Sequence, residues 1–388
     1  MASESLALVL GGGGARAAYQ VGFLRRLGHL IPTLQFPIVA GVSAGSINAA
    51  FLANWRDSLP AGLERLAELW QGITPDQVFH SNPLALTVNV CRWAVRLLAG
   101  GTALTLPARA LVNTTPLRKF LCRALSAPDG VLHGVAENIR RKRLRAAAVT
   151  TTNYATGQSV TWVQGEGLPM WERPLRRSVL TPLTVDHVMA SCALPLFFPA
   201  IQLGDAWHGD GGIRLTAPLS PAVHLGAQRI FIVSTRYQRS QTEADQPAVQ
   251  GYPPPATVAG VLLNAVFLEM LDYDAAVAER INRLIARLPE VERMGLRPVE
   301  VRVMRPSQDL EALAADYEAT LPLFFRHMVR GLGTRETRRP DLLATILFAP
   351  EYVRHVMQIG EQDAEREAKE LVAFLSPEPS SAEVQTVQ

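Results

Sequence analysis

Two short, continuous hydrophobic runs near the N-terminus each end in a turn and each precede a helical pattern. The first run, Leu6–Leu10, stops at four glycines, and the second, Phe36–Ala40, stops at Gly41. Runs of this kind are typical of strands that are buried on both faces of a parallel sheet. Apolar residues then recur at helical spacing over 15–30, and small residues fill 46–55. Strand, turn and helix, repeated twice, predict parallel βαβ packing.

The remaining pattern alternates between predicted helices and strands. Residues 58–126 are predicted to be helical, with Thr115-Pro116 as a helix start, because an N-cap followed by proline favours one. Further strands are predicted at 146–152, 159–163, 201–207, 230–234 and 299–303, and a short helix at 184–191. The polar and proline-rich residues 238–255 predict a linker or mobile loop. The pattern beyond is mostly helical, and 376–388 are predicted to be a loose tail.

Composition is typical of a globular protein and excludes several functional classes. The 388 residues are 48% hydrophobic and 19% charged, which excludes a disordered chain and supplies the side chains of a core. The net charge of +3 is too small to indicate nucleic-acid binding. Three scattered cysteines predict neither a disulfide framework nor a structural zinc site, and they fit a reducing compartment.

Targeting and membrane-spanning segments are not predicted. The N-terminus lacks a basic region before its short apolar stretch, so it does not resemble a signal peptide. No uncharged apolar run approaches the length of a transmembrane helix, and the nearest, 256–269, is too short. We therefore expect a cytoplasmic protein whose contact with membranes is peripheral.

The sequence Gly41-Val-Ser43-Ala-Gly45 lies between a predicted strand and a predicted helix. This GxSxG pattern is typical of a nucleophile elbow, in which a tight turn presents the serine hydroxyl at a helix N-terminus. The partial positive charge and free N–H groups at that terminus favour a developing anion. An ordinary strand-to-helix turn with Ser43 as its N-cap is the competing interpretation.

The four glycines Gly11–Gly14 permit two chemical interpretations. Successive glycines let backbone N–H groups converge on a substrate carbonyl, which predicts an oxyanion hole. The run also opens a GxGxxA dinucleotide-binding fingerprint, which requires an acidic residue about 20 positions later. After Glu4 the next acidic residue is Asp57, so the ribose ligand is missing and no dinucleotide cofactor is predicted.

A nucleophilic Ser43 needs a base, and two arrangements are available. The order serine, acid, histidine of an α/β-hydrolase is formally satisfied downstream of Asp210 by His224, His327 and His355. None of these histidines lies in a glycine-rich turn. The carboxylate of Asp210 precedes two glycines after a predicted strand and can therefore point at a neighbouring loop, although an ordinary turn aspartate has the same local pattern.

Together these motifs resemble those of the patatin-like phospholipase family. Gly11–Arg16 resembles its glycine-rich oxyanion motif, Gly41–Gly45 its nucleophile elbow and Asp210–Gly212 its catalytic DGG motif. The segment 190–199 resembles the sequence that precedes that aspartate. The resemblance extends over roughly residues 5–235 and departs from the family pattern at Ala17, where glycine is usual.

The resemblance implies an α/β protein with a three-layer α/β/α patatin-like fold, a mainly parallel central sheet and a mostly helical C-terminal region. The resulting domain prediction is a catalytic domain at 1–237, the linker at 238–255, a helical region at 256–375 and the tail at 376–388. The implied activity is that of a lipid acyl hydrolase, a phospholipase A or lysophospholipase-type serine esterase. An acyltransferase or thioesterase that uses the same serine, and a silent lipid-binding protein of the same fold, stay open as alternatives.

The family also implies roles for individual residues. Ser43 is the expected nucleophile and Asp210 its base, in a dyad without histidine that forms an acyl-enzyme. The expected oxyanion hole consists of the amides of Gly12, Gly13 and Gly14. Arg16 is expected either to hold the glycine loop or to bind a substrate phosphate. The mechanism implies no metal and no cofactor.

Two segments suggest how the chain meets a lipid or phospholipid ester substrate. Residues 131–180 hold eight basic residues and three glutamates, a charge of +5 in a chain whose net charge is +3. This charge predicts reversible binding to anionic bilayers through 140–145 and 173–177, and a solvated helix end is the competing interpretation. The apolar positions between 256 and 271 predict core packing, with membrane insertion as the alternative.

Overall fold

In the computed structural model, residues 5–80, 110–249, 251–267 and 270–376 are described, together with single positions at 88, 91, 92, 95 and 98. Within these residues, ten strands form one sheet in which β10, β9, β1, β2 and β3 are parallel neighbours. The strands are β1 Leu6–Leu10, β2 Ile38–Val42, β3 Ala146–Asn153, β4 Ser159–Gly165, β5 Glu172–Arg173, β6 Arg176–Leu180, β7 Ile201–Leu203, β8 Ala206–Asp210, β9 Arg229–Val233 and β10 Glu300–Met304.

Helices cover both faces of the sheet. They are α1 Ala18–Leu30, α2 Ala44–Asn54, α3 Leu59–Gln71, α4 Pro75–Val78, α5 Thr115–Ala124, α6 His133–Arg140, α7 Val185–Ser191, α8 Ser220–His224, α9 Gln241–Ala244, α10 Pro255–Phe267, α11 Met270–Ile285, α12 Leu310–Asp316, α13 Leu323–Gly331, α14 Asp341–Ile346, α15 Pro350–Arg366 and α16 Ala368–Leu375. Leu8 of β1 packs in the core with α1, α2 and α3, whereas Val9 packs with α8 and α11. Because successive strand residues face opposite sides, two cores form, and the predicted three-layer α/β/α architecture is confirmed.

The C-terminal region, 256–375, shares this framework with the rest of the chain. Its strand β10 extends the parallel sheet beside β9. Its helix α15 crosses α1 so closely that a Cβ on Gly360 would lie 2.4 Å from the Tyr19 carbonyl oxygen. The Tyr19 hydroxyl donates to Asp363 Oδ2 at 3.1 Å within this contact. The predicted division between residues 237 and 238 stays a prediction.

Several local predictions need correction. The strand predicted at 201–207 is two strands, β7 and β8, because the chain turns at Gly204 with φ 60°. The edge strand β5 and its neighbour β6 were not predicted. The apolar residues of α10 are not all in the core, since Val258, Val261 and Leu262 are 47–62% exposed. Most of 81–109 and all of 377–388 lie outside the described residues, and so do the predictions made for them.

Candidate active site

The register of the sheet brings Ser43 and Asp210 together. Strands β2 and β8 pair with consecutive stretches of the same edge of β3. The β2 pairing ends with Val42 opposite Thr150, and β8 ends with Asp210 opposite Thr151. The other edge of β3 is occupied by β4. Ser43, which follows Val42, therefore meets the end of β8. Its hydroxyl donates a 2.6 Å hydrogen bond to Asp210 Oδ2.

The backbone at Ser43 adopts a strained conformation that surrounding side chains support. Its φ of 53° and ψ of −136° are unusual for a residue other than glycine and fit a nucleophile elbow. The Ser43 N–H donates to Ser191 Oγ at 2.9 Å, and the Ser43 carbonyl accepts from Ser46 Oγ at 2.7 Å and from Cys192 Sγ at 3.0 Å. Both polar backbone groups of the elbow are therefore satisfied within the protein.

Asp210 is completely buried and accepts two hydrogen bonds. Besides the Ser43 hydroxyl, the Gly212 N–H donates to Asp210 Oδ1 at 2.9 Å. Burial raises the pKa of Asp210 to about 7, and these two hydrogen bonds oppose the rise. A carboxylate with such a pKa can accept a proton near neutral pH. No histidine in the described residues hydrogen-bonds to Ser43 or Asp210.

Each carbonyl group of the glycine loop is fixed by a different side chain. The Gly11 carbonyl accepts from Gln20 Nε2 at 2.9 Å, and the Gly12 carbonyl accepts from Thr235 Oγ1 at 2.6 Å. The Gly13 carbonyl accepts from Arg16 Nε at 3.2 Å. The peptides that follow Gly11, Gly12 and Gly13 are therefore each held through their carbonyl group.

The amide groups of the same loop remain available. In a trans peptide the N–H points away from the preceding carbonyl, so the N–H groups of Gly12, Gly13 and Gly14 face away from those three side chains. Among the described residues, none of these amides has a hydrogen-bond acceptor. The loop also touches the nucleophile, because a Cβ on Gly12 would lie 2.9 Å from Ser43 Cβ. Free amides beside a serine hydroxyl form a geometry suited to an oxyanion.

An apolar cavity extends from Ser43 and Asp210. Its wall combines aliphatic and aromatic side chains of α2, α3 and α5 with residues at and after the end of α14: Ile47, Phe51, Trp70, Leu121, Ile346 and Phe348. Such a wall excludes water and favours a hydrocarbon chain over a charged or polar ligand.

Arg16 lies behind the loop, with 3% of its surface exposed. Its guanidinium forms an ion pair with Glu311 of α12 and donates to Thr345 Oγ1 of α14 at 3.4 Å. Of the two roles expected for Arg16, this placement favours holding the loop, because the buried guanidinium is already paired.

Four residues of the site were missed in the sequence. Thr235 offered a signal, since it lies two residues after the end of the buried parallel strand β9, where site residues often lie. Gln20 is a polar residue on the buried side of α1, and Ser191 lies in the segment before the DGG motif. No sequence signal points to Glu311, which is 295 residues away from Arg16.

Two features are absent from the described residues: a helix able to cross a membrane and a cluster of metal ligands. No helix in this part of the chain combines the length and apolar character needed to cross a membrane. Within the same residues, no cluster of three or more histidine, cysteine, aspartate or glutamate side chains is placed to hold a metal ion.

Comparison with solved structures finds only distant resemblances. VipD from Legionella pneumophila has 13% sequence identity and a TM-score of 0.41, with 95% of this chain and 67% of that one covered. Human GIVD cytosolic phospholipase A2, in complex with methyl gamma-linolenyl fluorophosphonate, has 11% identity and a TM-score of 0.45, with 96% and 59% covered. The type III effector ExoU has 15% identity and a TM-score of 0.37, with 95% and 53% covered. This chain thus spans between about half and two thirds of those proteins.

The family assignment comes from the sequence itself. No curated protein matches the chain. The family model described as patatin-like phospholipase, however, matches residues 8–223, which include Ser43, Asp210 and the glycine loop. The family description supports a lipid hydrolase activity. Because the match spans more than half of the chain, this protein belongs to the patatin-like phospholipase family.

Proposed function

We propose that the protein is a lipid acyl hydrolase of the phospholipase A or lysophospholipase type, with Ser43 as nucleophile and Asp210 as its base. The observation that carries the proposal is the 2.6 Å hydrogen bond from Ser43 Oγ to Asp210 Oδ2. It is supported by the free amides of the glycine loop and by the apolar cavity that begins at both side chains.

The chemistry follows from these positions. Asp210 accepts the proton of Ser43 as Oγ attacks the ester carbonyl carbon. The amides of Gly12, Gly13 and Gly14 stabilise the oxyanion of the tetrahedral intermediate. As the carbon–oxygen bond to the alcohol or lysolipid breaks, Asp210 returns the proton to the leaving oxygen. Asp210 then takes a proton from water as the water attacks the acyl carbonyl carbon, and it passes that proton to Ser43 Oγ as the acyl–enzyme bond breaks and the fatty acid leaves.

Peripheral contact with lipid belongs to the same proposal, but the basic segment 140–145 is poorly placed for it. It immediately precedes Ala146, the first residue of β3, which pairs with Ile38 at the amino end of β2. Ser43 follows the carboxyl end of β2, about 15 Å away at roughly 3.3 Å per strand residue. A membrane bound to this segment would face the end of the sheet opposite the nucleophile.

Helix α10 is better placed for contact with a membrane. It packs against the turn at Gly211–Arg214, directly after Asp210, and against α14, which contributes to the wall of the cavity. Its sequence contains no charged residue, and Val258, Val261 and Leu262 are exposed. We therefore propose α10, instead of residues 140–145, as the membrane-facing element. The other predicted basic segment, 173–177, lies at the same end of the sheet as Ser43 and Asp210, because Arg176 pairs with Ser159 and Ser159 pairs with Thr152.

A serine-reactive probe and a lipid panel test the proposed function. The wild type is expected to react with a fluorophosphonate at Ser43 and to release fatty acid from phospholipid or lysophospholipid, whereas S43A does neither. A matched control, S240A, alters an exposed serine at the start of α9 and is expected to behave as the wild type. A wild type that binds lipid but neither reacts nor hydrolyses would support the silent lipid-binding alternative. Acyl transfer to an added alcohol or thiol without net hydrolysis would support the other.

A further inference from the structure

The C-terminal region reaches the glycine loop through Arg16. The Arg16 guanidinium holds the Gly13 carbonyl with Nε, while its Nη1 pairs with a carboxylate oxygen of Glu311. The Arg16 side chain is 4% exposed and that of Glu311 is 19% exposed, so the pair is mostly shielded from water. Glu311 lies outside the segment that matches the family model.

The position of Glu311 is itself fixed. It occupies the first turn of α12, where Asp309 caps the helix and its Oδ1 accepts from the Glu311 N–H at 3.1 Å. Asp309 also forms a 2.8 Å ion pair with Arg339. The Tyr352 hydroxyl of α15 donates to the Leu310 carbonyl at 3.0 Å. The Glu311 carboxylate is therefore presented to Arg16 from a packed helix terminus.

The peptide that Arg16 holds lies between two glycines of positive φ. Gly13 has φ 146° and Gly14 has φ 59°, and the peptide between two glycines can rotate without a Cβ clash. Rotation of that peptide would turn the Gly14 N–H away from the nucleophile. If an uncharged residue replaced Glu311, the buried Arg16 guanidinium would lack its charged partner. It would then lose its fixed position beside the Gly13 carbonyl.

We propose that Glu311 is a positioning residue for the oxyanion loop: it holds Arg16, and Arg16 fixes the Gly13–Gly14 peptide so that its N–H faces the reacting carbonyl. The proposal rests on the proposed function. It makes the C-terminal region part of the catalytic apparatus, although the reacting groups all lie in residues 8–223. A purely structural ion pair would stabilise the fold without affecting the chemical step.

Hydrolysis of p-nitrophenyl butyrate by E311Q, R16Q and the double variant separates the two roles. Assays at pH 8.5 keep Glu311 ionised, because burial raises its pKa to about 7. Loss of one oxyanion donor lowers kcat by about 100-fold or more. Partial misplacement of the Gly14 N–H is therefore expected to lower kcat about 10- to 100-fold and to change KM by less than about twofold. If Glu311 acts through Arg16, the double variant is no slower than R16Q.

Glu318 provides a matched control. Its carboxylate is 8% exposed and pairs with Arg330 and Arg335 in the same region, without contacting the glycine loop. E318Q is expected to lower the melting temperature and leave kcat unchanged. E311D keeps the charge on a shorter side chain, so it should recover part of the kcat lost in E311Q, and it serves as the test variant if E311Q does not fold.

The outcomes are distinguishable. A wild type without esterase activity or fluorophosphonate reactivity would refute the proposed function. An active wild type together with an E311Q variant that changes only the melting temperature would overturn the role of Glu311. If E311Q does not fold, an R16Q variant with the kcat of the wild type would overturn it, because Glu311 is proposed to act through Arg16. The same holds if E311Q lowers kcat as much in the R16Q background as it does alone, because Glu311 would then act independently of Arg16.

Discussion

Residues 8–223 and the C-terminal region contribute to the candidate active site in different ways. The first segment supplies the proposed nucleophile, its proposed base and the glycine loop, each at the end of a strand whose register fixes its position. The C-terminal region supplies no proposed reacting group among the described residues, but Glu311 and Thr345 contact Arg16 and Ile346 lines the cavity. Placing a reactive group and holding its surroundings are therefore separate tasks, performed by distant parts of the chain.

The largest effect should come from the acid in the first segment. D210N cannot accept the Ser43 proton, so kcat for p-nitrophenyl butyrate should fall at least about 10⁴-fold, as expected when a catalytic unit is broken. D205N, an exposed substitution on the turn before β8, is the control. A D210N variant that keeps a tenth of the activity would mean that Ser43 uses another base.

The contact between the two regions can be broken at Gly14. A Cβ there would lie 2.0 Å from the Thr345 carbonyl oxygen, and φ is 59°, so G14A must displace the loop. We expect kcat to fall about 100-fold, comparable to losing one oxyanion donor. A17G, which restores the glycine usual in the family, should change kcat little. Normal kcat in G14A would show that the loop amides do not take part in the reaction.

The pH profile examines Asp210, and it is measured in the E311Q background as well as in the wild type, because burial also raises the pKa of Glu311 to about 7. Because burial raises the pKa of Asp210 to about 7, kcat/KM should fall about tenfold per unit below that pH. Stability changes in the opposite sense: between about pH 4 and 7 the folded chain keeps a proton that the unfolded chain has released, so wild-type stability falls as pH rises. Chemical unfolding should show the advantage of D210N over the wild type growing across that window. A flat profile of kcat/KM from pH 5 to 8 would contradict the raised pKa.

The cavity wall, to which both regions contribute, can be narrowed at Ala124 of α5. A124F should lower kcat/KM for decanoyl esters about tenfold while butyryl esters are hydrolysed nearly as before, because only the longer chain needs the filled volume. The butyryl ester serves as the control, since its hydrolysis reports on Ser43 and Asp210 without needing the filled volume. Equal losses on both esters would indicate a distorted site instead of a shortened cavity.

The smallest effect concerns membrane contact and compares α10 with the basic segment. V261E/L262E should reduce sedimentation with anionic vesicles several-fold, and binding of the wild type should persist at 1 M salt because apolar burial is not screened. R140E/R141E/R143E should bind nearly as the wild type. If binding disappears at high salt and in the arginine variant, residues 140–145 contact the membrane and α10 does not. Reduced self-association of V261E/L262E without a change in lipid binding would assign α10 to a contact between copies of the chain.

The sequence predicted the features that depend on local pattern. The buried strands β1, β2, β9 and β10 lie within about two residues of their predicted positions, because continuous apolar runs report burial directly. The glycine pattern around Ser43 was also informative, because a Cβ on Gly45 would lie 2.3 Å from the carbonyl oxygens of Leu10 and Gly11. Close backbone contact restricts the residue type, and that restriction is visible in the sequence.

What escaped prediction depends on partners far away along the chain. Gln20, Thr235 and Glu311 are ordinary polar residues until the fold places them on Gly11, Gly12 and Arg16. The exposed face of α10 was assigned to the core because hydrophobicity does not reveal which surface another element covers. The short strands β5 and β6 carry charged residues and lack an apolar run, so no periodic signal marks them.

Strand β3 sets the distance between Ser43 and Asp210. Because β2 and β8 dock on consecutive stretches of its edge, the separation of Ser43 from Asp210 is set by backbone hydrogen bonds and not by the chain that links them. The loops between β4 and α7 can therefore vary in length without moving the reacting atoms, because Ser191 and Cys192, which hold the Ser43 backbone, follow them. One residue inserted between Thr150 and Thr151 would instead shift one partner by about 3.3 Å and reverse its face.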